Sequence, residues 1–204
     1  MTQTAERVMV YIDGFNLYFG LASRFSKLKW LNVYALSANL LKPHQTLIGV
    51  KYFTARLSGN PPKERRQNIY LKALQTTPTE IFYGQYKSGS TSCTQCHHTW
   101  TTNEEKMTDV NIAVQMLLDA VDNFFDTALV ISGDSDLAPP IRSVQDKFGK
   151  KVVVVFPPDR YNGSICQLAT GYYMLGKQKI MNSQFPMTIL TASGYPITKP
   201  QEWK

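Results

Sequence analysis

The strongest constraint on the fold is a set of short apolar runs separated by helical stretches. The first, Val8-Met9-Val10-Tyr11-Ile12, is rich in β-branched residues and lacks a clean apolar–polar alternation. A strand of that kind is covered on both faces. Residues 47–55 read as a second strand, 80–86 as a third, and 127–132 and 152–156 as two more. Helical signals fall between them. Asn32 is placed to cap a helix over 33–41, with Pro43 just beyond its end, and Pro62 opens a basic helix over 63–75. The stretch 109–121 sets Val110, Ala113, Val114, Leu117, Leu118 and Val121 at helical spacing. A helix over 137–147 stops at Phe148-Gly149, and 164–170 reads as a short one. Strands alternating with helices predict an α/β domain, with a mainly parallel sheet and helices on both faces.

At 204 residues and 43% apolar, the chain supports one core and one domain, taken as 1–185. Within it, 88–103 reads as an inserted knuckle or a long flexible loop, being rich in Ser, Thr and Gly. Residues 186–204 read as a C-terminal tail, its last dozen residues loosely held. The start of the chain has no apolar stretch of signal-peptide length, and no run is long enough to span a bilayer. The expectation is a cytoplasmic protein without a membrane partner, its three cysteines reduced.

Four aspartates stand where such a fold gathers its chemistry. Asp13 follows the first strand. Asp134 and Asp136 follow the strand ending at Ile131, in Ser132-Gly133-Asp134-Ser135-Asp136. Asp109 opens the helix over 109–121. Strand C-termini converge on one edge of a parallel sheet, where ligands bind. Converging carboxylates repel one another unless a cation sits among them, and a hard divalent ion suits oxygen ligands. Each acid also has a plainer reading. Asp13-Gly14-Phe15-Asn16 is a good turn sequence, Asp136 or Ser135 could cap the following helix, and Asp109 complements a helix dipole. Two other chemistries fit poorly. An aspartyl phosphotransferase wants an acid where Phe15 stands, and a dinucleotide fold wants a glycine-rich fingerprint that is absent.

The net charge of +7 and pI near 9.3 point to an acidic partner. Lys63, Arg65, Arg66 and Lys72 lie on the basic helix, with Arg66 and Tyr70 four residues apart on one face. That face could track phosphates while Tyr70 stacks on a base, or it could be an ordinary solvated surface. Lys106 has the same two readings. The chain is compatible with a homo-oligomer.

Three segments together, Tyr11-Ile12-Asp13-Gly14-Phe15-Asn16, Glu105-Lys106-Met107-Thr108-Asp109-Val110-Asn111 and Ser132-Gly133-Asp134-Ser135-Asp136-Leu137, resemble the NYN domain family. That family belongs to the PIN-like nuclease superfamily and includes LabA-like proteins. The resemblance runs from about residue 8 to 156, in order and at family-like spacing. It implies a ribonuclease dependent on Mg²⁺ or Mn²⁺. Asp13, Asp109, Asp134 and Asp136 would hold the metal, with Asn16 beside them on the phosphate or on Asp13. The alternative is a nucleic-acid-binding regulatory module with little turnover. A small-molecule phosphohydrolase is disfavoured by Phe15 and by the basic charge.

Cys93 and Cys96 have the spacing of zinc ligands, with His97 and His98 adjacent. One C-x-x-C is half a site, so a structural Zn²⁺ needs a ligand from elsewhere, and a bare loop is the other reading. Haem attachment would need export, and a redox C-x-x-C would open a helix after a strand.

Overall fold

The computed structural model describes residues 5–92 and 94–203. The chain opens with strand β1 (Glu6–Asp13), helix α1 (Gly14–Arg24), helix α2 (Val33–Leu40) and strand β2 (Gln45–Thr54). Asn32 caps α2 through its side chain, which accepts from the Ala35 amide at 3.0 Å. Helix α3 (Pro61–Leu74) starts on the expected prolines, capped by Asn60, and leads to strand β3 (Thr79–Tyr83). Strands β4 (Gln85–Ser92) and β5 (Thr99–Lys106) follow, then helix α4 (Thr108–Val121) and strand β6 (Thr127–Ile131). Helix α5 (Ala138–Phe148) ends on Gly149 at φ +62°, a left-handed cap that glycine adopts without strain. Strand β7 (Lys151–Phe156), helix α6 (Gly163–Cys166), strand β8 (Gly171–Met174) and helix α7 (Lys177–Met181) complete the main body.

Six strands form one parallel sheet in the order β3-β2-β1-β6-β7-β8. Alternation along β1 divides the core. Val8, Val10 and Ile12 point to a cluster with Leu17, Leu21, Leu36, Leu71 and Leu74 of α1, α2 and α3. Met9 and Tyr11 point to the other face, with Ile112, Met116, Ile141 and Val144 of α4 and α5. Both faces of the central strands are therefore buried, which explains why they read as unbroken apolar runs. The α/β architecture, with helices on both sides of a parallel sheet, is the one expected.

Three sequence readings are corrected. Of the two readings of 88–103, the long flexible loop is overturned: β4 and β5 pair antiparallel from Gln85–Lys106 to Ser92–Thr99, as an inserted two-stranded ribbon separate from the main sheet. Its Ser/Thr-rich composition resembles a loop, yet threonine is a good strand former. The last dozen residues are not loose. Strands β9 (Thr188–Leu190) and β10 (Pro196–Thr198) form a hairpin, and Ile197 and Trp203 are buried in the core shared with α1 to α3. Trp203 stacks its edge on Tyr70, with ring centres 5.8 Å apart, and packs near Trp30 at 6.3 Å.

The third correction concerns α4. The helix exists, but the apolar stripe seen in its sequence mostly faces outward. Val110, Val114, Leu118 and Val121 are 46–61% exposed, while Thr108, Ile112, Met116, Asp119 and Ala120 are buried. An apolar stripe ordinarily marks the core face. Here the core face contains an aspartate, so the pattern of apolar residues pointed the wrong way. Asp119 is compensated in the interior. Its two carboxylate oxygens each lie 2.7 Å from Lys51 Nζ, and the Tyr11 hydroxyl donates to it at 2.7 Å. Lys51 is the lateral neighbour of Tyr11 across the β1–β2 ladder. Among the described residues, no helix is long and apolar enough to cross a membrane.

Candidate metal centre

The parallel sheet brings the C-termini of β1 and β6 side by side, so Asp13 and the loop 132–136 share one edge. Helix α4 delivers Asp109 in its first turn, directly after Met107 and Thr108. Carboxylate oxygens of Asp109, Asp134 and Asp136 all lie within 4.8 Å of one another. Oxygens bound to one Mg²⁺ sit about 2.1 Å from it, hence no more than about 4.2 Å apart, a spacing that small side-chain rotations reach. Asp109 and Asp134 are half-buried and Asp136 is exposed. Asp134 and Asp136 make no ion pair with a described lysine or arginine. Three acids gathered in this way are an all-oxygen donor set, the chemistry that suits Mg²⁺ or Mn²⁺.

Asp13 lies outside that set. It is 5% exposed, and both its oxygens are engaged. Oδ1 accepts from the Asn16 amide at 3.0 Å, which makes Asp13 the N-cap of α1. Oδ2 accepts from the Ser132 hydroxyl at 2.9 Å, and Ser132 Oγ accepts from the Asp134 amide at 3.1 Å. Asp13 thus touches the acid cluster through Ser132. Asn16 holds the same loop by accepting from the Gly133 amide at 3.0 Å, and Asn162 donates to the Gly133 carbonyl at 3.2 Å. Asp134 caps the short 3₁₀ turn that follows, accepting from the Asp136 amide at 3.0 Å. The capping role expected for Asp136 or Ser135 therefore falls to Asp134, alongside its place in the acid set.

Ser132 and Asn162 are the site-ordering residues that sequence reasoning left unassigned. Ser132 was visible only as part of the motif, whereas Asn162 lies far along the chain in a loop without pattern. Gly133 has a steric cause: a Cβ there would meet the Arg160 carbonyl oxygen at 1.8 Å. Gly14 has one too, since its Cβ would lie 2.6 Å from the Tyr52 hydroxyl. Burial, together with the charge of Asp13, pushes the Tyr52 phenol well above its ordinary range.

The basic residues are dispersed. Lys63 and Arg65 are exposed on the first turns of α3, and Arg66 pairs with Glu202 at 3.1 Å. Tyr70 is not the exposed stacking platform expected: it is 9% exposed and its hydroxyl donates to the Leu31 carbonyl at 2.8 Å. Lys106 is exposed at the end of β5, two residues before Thr108. Cys96, His97 and His98 are exposed in the turn between β4 and β5, whereas Cys93 lies outside the described residues. Among the described residues, Cys96, His97 and His98 do not belong to a set of three or more potential ligands close enough for one ion.

The chain is similar to several known proteins. A 6-hydroxy-3-succinoylpyridine 3-monooxygenase, HspA, from Pseudomonas putida is 24% identical over a 194-residue alignment. That alignment takes in 78% of this chain, and the chain spans 62% of the relative's length. A crystal structure of a protein of unknown function from Vibrio parahaemolyticus superposes with a TM-score of 0.57 at 17% identity, covering 87% of this chain and 97% of that one. It shares the fold. The profile of the NYN domain matches residues 7–176, a span that takes in β1, the three-acid set and the sheet through β8; the chain belongs to the NYN domain family.

Proposed function

We propose that this protein is a divalent-metal-dependent ribonuclease. The observation that carries the reading is the set formed by Asp109, Asp134 and Asp136 at the C-terminal edge of the sheet. NYN domains have a nuclease-like fold. Three mutually close carboxylates are unfavourable alone and favourable around a cation. Mg²⁺ or Mn²⁺, when bound there, would offset phosphate charge and acidify a water. Asp109, Asp134 and Asp136 would hold the ion. Asp13 would act from behind them, fixing Ser132 and through it the Asp134 amide. Asn16 would hold the loop at Gly133 so that Asp134 keeps its direction. The net charge of +7 would attract the RNA backbone to the protein.

The test is incubation of purified protein with a mixed RNA pool in Mg²⁺, in Mn²⁺ and in chelator. Cleavage with either metal and none in chelator is expected. Saturable RNA binding without cleavage under every divalent metal would favour the regulatory module instead. A second reading follows from the Pseudomonas relative, whose name describes oxygenation of a pyridine ring bearing an acid chain. An aromatic cavity beside Gly14 gives that reading one structural support. Oxygen uptake with 6-hydroxy-3-succinoylpyridine and a nicotinamide or flavin electron donor is its assay.

A further inference from the structure

Beside the acid cluster, on the other face of the sheet, a cavity of about 490 Å³ lies between α1 and α3. It opens from Gly14 and Phe15, the two residues that follow Asp13. Its volume falls within the range of small-molecule pockets, about 300–1,000 Å³. The walls are largely aromatic, with Tyr18 on α1, Tyr52 at the end of β2, Tyr70 on α3 and Trp203 from the C-terminal turn. Lys63 and Arg66 line the same cavity. Flat rings together with two cations match a ligand with a planar ring and an anionic group.

A second observation points the same way. Tyr52 is 5% exposed, and its hydroxyl has no hydrogen-bond partner among the described residues. That hydroxyl lies against Gly14, in the lining of the cavity. Facing the cavity, the hydroxyl is placed to donate to a ligand held there. Tyr52 stays protonated, because burial and Asp13 both oppose its ionisation, so it is a lasting donor. Gln67, another lining residue, is used elsewhere: it donates to the Ala55 carbonyl at 2.8 Å and accepts from the Leu57 amide at 2.9 Å, which holds the cavity rim in shape. Arg66 is held by Glu202, but that carboxylate is 59% exposed and can yield to a phosphate.

We propose that this cavity is a nucleotide subsite: the base lies against Tyr18 and Phe15, the Tyr52 hydroxyl donates to the edge of the base, and Lys63 and Arg66 take its phosphate. Its position next to Asp13 places it to receive the nucleotide beside the bond cut at the acid cluster. That role in cleavage rests on the ribonuclease reading, whereas occupancy by a nucleotide does not. The same ring-and-anion chemistry describes a free aromatic acid, so the two sources must be separated.

The experiment is a set of equilibrium titrations without divalent metal, read by tryptophan fluorescence and checked by calorimetry. The probes are the four nucleoside 5′-monophosphates, ribose 5-phosphate and a pyridine carboxylate. Saturable binding of at least one mononucleotide is expected, at least about fivefold tighter than ribose 5-phosphate, because stacking of the base is lost in the latter. Tyr52→Phe removes only the hydroxyl and Lys63→Ala changes only an exposed side chain; each should weaken the mononucleotide at least threefold. Asp134→Asn should leave this binding intact, even though it tests cleavage. Equal affinity for ribose 5-phosphate would reduce the site to general charge attraction and overturn the proposal. Tighter binding of the pyridine carboxylate, undisplaced by mononucleotides, would assign the cavity to an aromatic acid instead. No saturable binding of any probe would also overturn it, whether or not RNA is cleaved at the acid cluster.

Discussion

Asp119 and Asp109 sit on the same helix, roughly 15 Å apart along its axis at 1.5 Å per residue, and meet opposite surroundings. Asp119 is buried under α4, with Lys51 Nζ at 2.7 Å, the Tyr11 hydroxyl at 2.7 Å and the Lys51 ammonium also reaching Gln115 at 3.2 Å. Its charge is answered inside the chain. Asp109 stands at the open end of the helix beside Asp134 and Asp136, more acid than the described lysines and arginines answer around Asp134 and Asp136. Asp134 and Asp136, by contrast, pair with no described lysine or arginine. The first arrangement holds the fold together; the second is suited to receive a charge from solution.

The largest expected effect tests the compensated side. Lys51→Met should destabilise the protein by about 3–5 kcal/mol, because Asp119 would be left as a buried charge without its cation. Chemical denaturation measures this. Lys51→Met combined with Asp119→Leu should recover most of the loss, since an apolar pair is often no worse than a buried ion pair. A single-variant loss below about 1 kcal/mol would mean that Asp119 is not held as a compensated buried charge, and the contrast would fail on that side.

The acid cluster should respond the other way. Asp134→Asn keeps the cap on the following turn, as asparagine is an equally good cap. It should leave the metal-free melting temperature unchanged or slightly raised, because repulsion with Asp109 and Asp136 falls. RNA cleavage should drop by at least about a hundredfold, since even loss of outer partners of a metal costs 10–100-fold. The rise in melting temperature that Mg²⁺ or Mn²⁺ brings to the wild type should disappear. Cleavage undiminished in this variant would remove Asp134 from the chemistry and leave the crowding of acids without a function.

How much of this contrast was visible in the sequence follows from the same two residues. Asp109, Asp134 and Asp136 lie at element ends, where turn chemistry and short apolar runs mark positions well, and the three come together as the order of elements implies. Asp13 lies at the expected strand end, but its side chain is taken up by Asn16 and Ser132, a local hydrogen-bonding choice that no spacing reveals. Asp119 was invisible. It interrupts the core face of α4, so the exposed stripe Val110, Val114, Leu118 and Val121 looked like the better inner face. Its partner Lys51 is 68 residues away and becomes its neighbour only through the β1–β2 pairing. The aromatic cavity was equally hidden, because Trp203 reaches it from a C-terminal stretch without periodicity.

Ser132 joins the two kinds of site and allows a finer test. Its hydroxyl donates to buried Asp13 and accepts from the Asp134 amide, so Ser132→Ala strands one group on each side. A stability loss of about 1–3 kcal/mol is expected from the buried groups left unsatisfied. Metal affinity, read by calorimetry with Mn²⁺, should fall about tenfold, as for other residues that orient a metal ligand. Loss of stability with unchanged metal affinity would make Ser132 part of the scaffold alone, and Asp13 with it.

The smallest effect lies at the opposite edge of the sheet, where carboxylates are compensated by exposed partners. Glu6 is held down to about 2 by hydrogen bonds from Gln45 and Thr127 and then by Lys151. Asp126 is held down to about 2, chiefly by hydrogen bonds from Arg7. Both values lie below those of the unfolded chain. These groups therefore stabilise the fold at pH above about 4.5 and lose that contribution as pH falls toward about 2. The urea midpoint should decline across that window, and less steeply in Glu6→Gln, which removes one titrating group. Asp126 is partly solvated, so added salt should shrink its share while leaving the Lys51–Asp119 pair nearly untouched. Equal salt sensitivity in Lys51→Met and wild type would agree with that ranking. A strong salt response that vanishes in Lys51→Met would instead place Asp119 in contact with solvent and erase the difference between the two ends of α4.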